Sequence, residues 1–379
     1  MRCLSFILCF VFCFGCGRPS ETQVDTMCFD LDKLSDDVRF SDLFERVDLI
    51  PLETSDSSLL TPALILAAYH DTLYVMDFMQ NKDIKVYDPQ GKYLYSLCSR
   101  GGGPDDYIAA MNISINPFTG HFELLENNNV LDVYRRKDGK KMRKLELGSE
   151  RFPAPAQQCF ALEEGKYAVF SSFSAQDNVL LYNADTEGRT LLTKPSAENI
   201  IAAGRNYTFT AFRRQPSGIL TVNAVADRMI YRYDRGEISP YIELDFGQRH
   251  NMDHYISDET SPTDIKNILK EHQTEIVSSV FPPLIWNDRF LCTVVMNGEN
   301  YTLFSGMPDG ENVCFKTTSE GLTLSTGGFL DGEVLYLAVP VDYLDKYVSE
   351  AVLDEENRAI LRSLSPEDNP VVLRYMLKE

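Results

Sequence analysis

Apolar residues in this chain alternate over short stretches rather than over helical turns. Between residues 64 and 98 there are four such runs, 64–69, 73–76, 84–87 and 93–98, separated by His70-Asp71, Asn81-Lys82 and Asp88-Pro89-Gln90-Gly91. Short apolar, β-branched and aromatic runs bounded by turn formers predict strands, so this stretch predicts a four-stranded meander. Its third run carries the string IKVYD around Tyr87. Strings of the same form recur as LDVYR at Tyr134, VLLYN at Tyr182, IYRYD at Tyr233, YTLFS at Phe304 and VLRYM at Tyr375. Six copies of one marker predict six copies of one unit.

Successive markers lie 47, 48, 51, 71 and 71 residues apart. The first three intervals suit a four-stranded propeller blade, which takes roughly 40 to 50 residues. Each longer interval holds a segment with helical spacing: 261–280, through Ile265, Ile268, Leu269, Ile276 and Val280, and 341–364, through Leu344, Tyr347, Val348, Val352, Ile360 and Leu361. The remaining strands are expected at 112–115, 122–125, 130–134 and 143–147; at 159–162, 167–171, 179–182 and 190–193; at 209–212, 219–223, 230–233 and 241–246; and at 284–286, 290–295, 301–304 and 313–317. The sixth unit offers only 328–329, 334–339 and 371–377. It lacks a fourth strand. An unpartnered alternating run at 47–52, ending near Pro51 as an edge strand would, precedes the first unit. The pattern therefore predicts an all-β, six-bladed β-propeller over residues 37–379, its blades four-stranded and its ring closed by the N-terminal strand. Consecutive strands alternate direction, so the helical insertions, at about 253–280 and 341–364, belong on one face. There they are expected to pack together as a partial lid.

The N-terminus reads as a targeting segment. Met1-Arg2 is followed by an apolar run over 4–14, broken only by Ser5 and shorter than the ~20 residues a spanning helix needs. Gly15-Cys16 at its end resembles the lipobox of bacterial lipoproteins, although Cys13 stands where that motif usually has Leu. The resemblance makes 1–16 a signal peptide and Cys16 the acylated first residue of the mature chain, with 17–36 a polar tether; cleavage without lipidation is the alternative. Of nine cysteines, Cys28, Cys98, Cys159, Cys292 and Cys314 then remain. The last four sit in strand-like runs without a C-x-x-C pair, which favours buried thiols over a disulfide framework or a zinc site. A formal net charge of −20 argues against nucleic acid as a partner, because neutralising phosphates takes Lys and Arg.

The strings DLFERVDLIPLET, DTLYVMDFMQNKDIKVYDPQGKYLYSL and RGGGPDDYIAAMNISINPFTGHFELLE resemble the six-bladed propeller lipoproteins of Bacteroidota, relatives of NHL-repeat propellers, from about residue 30 to the end. That family's Gly-rich corner usually reads G-x-G-P-G-E-Y. Here Gly103, Pro104 and Tyr107 match, whereas Asp105-Asp106 replace Gly-Glu. The resemblance implies a cell-envelope location with membrane attachment through the lipid, and Gly17-Arg18-Pro19-Ser20 after the Cys favours the periplasmic side over the cell surface. It supplies no catalytic motif.

Candidate chemistry is sparse. Gly101-Gly102-Gly103-Pro104 lacks the G-K-[ST] of a phosphate loop and reads as a corner between blades. Asp105 and Asp106 are placed where the chain turns toward the innermost strand, from which they would face the channel and bind a cation or a sugar hydroxyl; a solvated turn is the plainer reading. The candidate ligand-binding set is Arg100, Asp105, Asp106 and Tyr107. His250 and His254 have metal-ligand spacing but neither an H-E-x-x-H pattern nor a third ligand, so no metal and no cofactor are assigned. Trp286 and Tyr207 are aromatic platforms for a sugar, or simply core. These features favour a non-enzymatic binding scaffold for a glycan, a peptide or an envelope protein. The alternative is a propeller enzyme, either a metal-dependent lactonase-like hydrolase or a polysaccharide lyase.

Overall fold

The computed structural model of the chain describes residues 24–70, 72–150, 155–171, 179–193, 211–223, 228–257, 260–307 and 310–379. Cys16, the signal segment, Asp71 and Tyr207 lie outside the described residues. Six small sheets form a ring. Strands are lettered A to D from the axis outward. Blade one is Leu64–Tyr69, Thr72–Asp77, Asp83–Tyr87 and Tyr93–Ser99; blade two is Ala110–Ile115, Phe122–Glu126, Val130–Arg135 and Lys140–Glu146. Blade three is Gln158–Glu163, Lys166–Phe170, Val179–Asn183 and Gly188–Thr193, and blade four is Phe212–Arg214, Leu220–Val222, Met229–Asp234 and Glu237–Asp245. All six aromatic markers fall on strand C. Tyr87, Tyr134, Tyr182, Phe304 and Tyr375 are buried there. Six apolar clusters fill the six junctions between neighbouring blades, so the core is a ring of seams rather than one central mass.

Blade six closes the ring. Its A, B and C strands are Phe329–Asp331, Val334–Val339 and Val371–Leu377, and its outermost strand is Phe44–Pro51 from the other end of the chain, paired Val47 to Tyr375, Leu49 to Leu373 and Pro51 to Val371. Asp48 lies opposite Arg374 and forms an ion pair with it at 2.9 Å. A one-residue slip would break that pair and turn Leu49 outward, so the register is specified twice. The free side of the added strand is covered: the buried side chain of Asn357, on the helix Glu355–Ser363, accepts the Leu49 N–H at 2.7 Å. Asn369, also buried, accepts the Leu60 N–H and donates to the Glu53 and Ser58 carbonyls, fixing the run from this strand into blade one.

The segment expected as a tether over 17–36 is docked from Asp25 onward. Asp25–Cys28 adds a fifth, parallel strand to the outer edge of blade four. Phe29 and Leu31 are buried between blades four and five, and the Ser35 N–H donates to the Cys314 carbonyl on Asn312–Phe315, the outer strand of blade five, whose B and C strands are Arg289–Met296 and Glu299–Ser305. The N-terminal ribbon thus crosses three successive blades. Apolar Phe29 and Leu31 supply the burial that a polar tether would lack.

Both insertions leave from the same face, one between D of blade four and A of blade five and the other between B and C of blade six. They do not form a joint lid. The first helix, Pro262–Glu271, ends before the expected 280, because Val277–Val280 belongs to strand A of blade five. That strand is interrupted at residues 281–283, where Pro282 and Pro283 offer no N–H, and resumes as Leu284–Trp286. Ile265 and Leu269 pack into a local cluster with Met252, Ile256 and Ile276. The second insertion, a 3-10 turn at Val341–Lys346 followed by Glu355–Ser363, packs instead on the N-terminal strand through Leu344, Val348 and Leu353, in the cluster that holds Leu43 and Val47. Trp286 is core: its indole N–H donates to the Lys378 carbonyl at 2.7 Å.

Removing residues 17–53 should leave Val371–Leu377 as an unprotected edge and strip the cover from blades four and five. Aggregation, or a drop of more than 10 °C in melting temperature, is the expected result (a 1 kcal/mol loss shifts a protein of this size by roughly 2–4 °C or less). A truncated chain that melts like the full one would contradict the closure.

Candidate functional site

The Gly-rich corner is built as an outer-rim joint. Between Ser99, the end of the outermost strand of blade one, and Ala110, the start of the innermost strand of blade two, the Gly101 N–H donates to the Tyr107 carbonyl and the Tyr107 N–H to the Ser99 carbonyl. The Asp106 carboxylate accepts the Gly103 N–H at 2.7 Å, and Asp105 accepts the Lys141 N–H at 2.9 Å. Lys141 lies on the outermost strand of blade two, donates to the Asp106 carbonyl and pairs with buried Asp132 at 2.7 Å. Asp105 and Asp106 are therefore held at the rim and do not reach the channel. Arg100 is exposed, while Tyr107 is fully buried, and burial raises its hydroxyl pKa above the ordinary range. The four candidates form a joint between blades one and two, and none of them lines the axial cavity. His250 and His254 also stay apart in role: His250 is buried with Nδ1 at 2.6 Å from the Glu275 carbonyl, and the His254 ring lies edge-on to Tyr255.

A cavity of about 580 Å³ lies instead on the axis, lined by the innermost strands of blades one to four and six and by Phe281 and Pro282 of blade five. Strand A of one blade is not laddered to strand A of the next, so side chains bridge the gaps. Asn112 of blade two donates to the Gln157 carbonyl leading into blade three, and Gln158 of blade three binds the Ala211 and Phe212 N–H groups and the Phe212 carbonyl of blade four. Gln215 of blade four accepts the Ile285 N–H and donates to the Pro283 carbonyl of blade five. Arg213 completes the series. Fully buried, it donates to the Pro282 carbonyl at 2.7 Å and to the Thr326 and Gly328 carbonyls at 2.6 and 2.7 Å, joining blade four to the chain that enters blades five and six. Burial without a carboxylate pushes its pKa down to about 10, so it stays a cation at neutral pH.

The channel mouth on the face opposite the insertions is aromatic. The A–B turns open there, which places Tyr69, Pro117, Phe118, Phe160 and Arg214 around it. The Arg214 guanidinium lies 5.7 Å from the Phe160 ring and 6.0 Å from Phe118, and Arg136 stacks at 4.1 Å on Tyr69 while donating to the Tyr74 hydroxyl at 3.0 Å. The sequence carried one usable sign of this site. Among the described residues the strand expected at 209–212 is Phe212–Arg214, so Arg213 and Arg214, which the pattern left beyond its end, are polar residues of an innermost strand.

Behind the wall, Glu123 of blade two is buried and accepts from Asn116 and from the Tyr167 hydroxyl of blade three, both at 2.8 Å. Burial raises its carboxyl to about 7, and the hydrogen bonds from Asn116 and Tyr167 only partly oppose that rise. Among the described residues, no group of three or more His, Cys, Asp and Glu is placed to hold a metal ion.

Ring, closure and axial cavity define a six-bladed β-propeller with a ligand-sized channel. The chain belongs to the family described as a domain of unknown function, DUF4934, which matches residues 27–376. No curated protein matches it. It is similar in structure to a protein of Bacteroides fragilis named as an expected exported protein, with a TM-score of 0.67 and 14% identity over 94% of this chain and 100% of that one. It is also similar to a DUF4221 member from Bacteroides vulgatus, with a TM-score of 0.52 and 11% identity over 90% of this chain and 98% of that one. At such identities the likeness concerns the fold.

Because the folded-state pKa of Glu123 is raised, the folded chain prefers it protonated. Its stability contribution is complete below the ordinary carboxylate range and is lost as pH rises through about 7. Glu123→Gln, an isostere of the neutral acid, should match the parent near pH 4.5 and exceed it by about 3 kcal/mol above pH 8. Parallel stability curves across that window would show that Glu123 does not titrate in it.

Proposed function

We propose that this chain is a cell-envelope lipoprotein of the Bacteroidota, related to NHL-like propellers, whose ring is a binding scaffold. Its ligand sits in the axial channel at the aromatic mouth. The observation that carries this reading is the cavity itself. At about 580 Å³, with Leu, Ile, Ala and Phe side chains over most of its wall and a few polar groups among them, it has the size and chemistry of a small-molecule site. A glycan end, a peptide side chain or a segment of an envelope protein could enter from the mouth. The Gly-rich corner, in this reading, keeps blades one and two in register.

Anchoring rests on the N-terminal segment. The lipobox-like Gly15-Cys16 supports acylation of Cys16, and a similar fold in an expected exported protein of Bacteroides fragilis supports an envelope address, facing the periplasm. Docking of the ribbon from Asp25 leaves only residues 17–24 between the lipid and the ring, about 25 Å at full extension. The propeller would then ride close to the membrane.

Two experiments test these halves separately. Cys16→Ser should move the protein from the membrane to the soluble periplasmic fraction, and continued need for detergent in that variant would count against the lipid. In a glycan and peptide array probed with the mature chain, any hit should weaken at least tenfold in Phe160→Ala and persist in an Asp105→Ala, Asp106→Ala double variant. The opposite result would move the site to the corner.

A further inference from the structure

We infer that the channel ligand carries a carboxylate on an apolar body, and that Arg214 is the residue that binds it. This rests on the channel reading above and adds a chemical class to it.

Arg213 and Arg214 are neighbours in sequence with opposite bonding. Arg213 spends its N–H groups on backbone carbonyls of blades five and six. Arg214, the next residue, lines the same channel half-buried, and none of the described residues gives its guanidinium a hydrogen bond or an ion pair. Desolvation lowers its pKa from the usual arginine value, with no opposing partner. A guanidinium that has lost part of its hydration and gained no acceptor is costly to keep unless a ligand supplies the acceptor. A merely structural arginine would be expected to find carbonyls, as its neighbour does.

The surroundings define that ligand. Phe160 and Phe118 flank the guanidinium at 5.7 and 6.0 Å and limit the planes it can adopt, which suits a planar two-oxygen acceptor. Phe118 keeps 47% of its surface in solvent, a large apolar face beside the cation and free to cover a ligand. The chain carries a net charge of −20, yet among the described residues the charged side chains lining the channel are Arg213, Arg214 and a single aspartate, Asp331, on the exposed turn of blade six. Asp331 has a partner of its own. A cation in a low-dielectric wall concentrates anions there despite the acidic exterior. Arg214 is the lining cation whose N–H groups the described residues leave without an acceptor, so it can pair directly with one carboxylate, whereas Arg213 is spent on backbone carbonyls and offers no free donors to the second charge of a phosphate monoester. The apolar wall takes the remainder of the molecule.

The test uses the full mature chain and matched pairs of small probes: naphthalene-2-carboxylate, 3-phenylpropanoate and octanoate, each beside its primary carboxamide, followed by calorimetry and ligand-observed NMR. At least one carboxylate should bind, its carboxamide should be at least tenfold weaker, and binding should weaken as salt is raised. Arg214→Met should abolish the preference for carboxylate, and Arg214→Lys should keep part of it. Unliganded Arg214→Met should melt at or above the parent temperature, since it removes a charge for which none of the described residues supplies an acceptor; a marked fall would make Arg214 a structural pin and overturn the inference. Equal binding of acid and amide, unaffected by Arg214→Met but lost in Phe160→Ala, would overturn the carboxylate assignment and leave the channel reading standing. No binding by any of the three acids at millimolar concentration would overturn the inference. An array hit lost in the Asp105→Ala, Asp106→Ala variant and retained in Phe160→Ala would overturn the channel reading with it.

Discussion

The pairing of Phe44–Pro51 with Val371–Leu377 is the constraint on which the rest of the molecule depends. A propeller blade meets its neighbours mainly through side chains, so a ring of such blades has no continuous backbone ladder around its circumference and would open at its weakest junction. Here the two ends of the chain share one sheet, in a register set by Asp48 against Arg374 and by Leu49 facing inward. Opening that junction means breaking an antiparallel ladder and exposing the edge of Val371–Leu377. The N-terminal ribbon extends the same principle to blades four and five, with Asp25–Cys28, Phe29 and Leu31 on their outer edges. Closure is therefore a clasp along nearly half the rim.

The inner wall has the complementary problem. Strands near the axis are too short and too splayed to bond to one another, and their polar backbone must be satisfied across gaps. Asn112, Gln158, Gln215 and Arg213 do this from blade two round to blade six. The repeat has outer counterparts. Asn81 and Asn129, both in left-handed backbone conformations at B–C turns, bond the backbone that leads into the next blade at Ala110 and Ala156. Gly91 and Gly139, also left-handed, let C–D turns lie directly against the preceding blade at Pro51 and Leu97. Against these bridges Arg214 stands out, because none of the described residues gives its guanidinium an acceptor.

The rhythm of the fold was legible because strand C of each blade repeats an aromatic residue that packs in a junction, and the missing fourth strand of blade six announced the clasp. Misreadings have physical causes. Val280 continues a helical spacing from Ile268 and Ile276, but the helix ends at Glu271 and Val280 belongs to strand A of blade five, while Ile276 stays in the helix's local cluster. Residues 25–34 look polar enough for a tether, and only Phe29 and Leu31 reveal that they dock. The candidate site was the least legible part. Asp105 and Asp106 stand out in the sequence because they depart from a familiar corner, yet Lys141, 36 residues after Asp105, decides where they point. Phe118, Phe160 and Arg214 come from three blades, and no spacing rule brings them together.

Native-state hydrogen exchange across the clasp tests the account most directly, because it asks whether the two ends of the chain belong to one cooperative unit. If the N-terminal strand is an integral part of blade six, the bonded amides of residues 44–50 will open with the same free energy as those of 371–377, equal to that of global unfolding. If residues 44–50 instead exchange through an opening several kcal/mol easier while 371–377 stay protected, the strand is a docked tail and the ring holds itself shut without it.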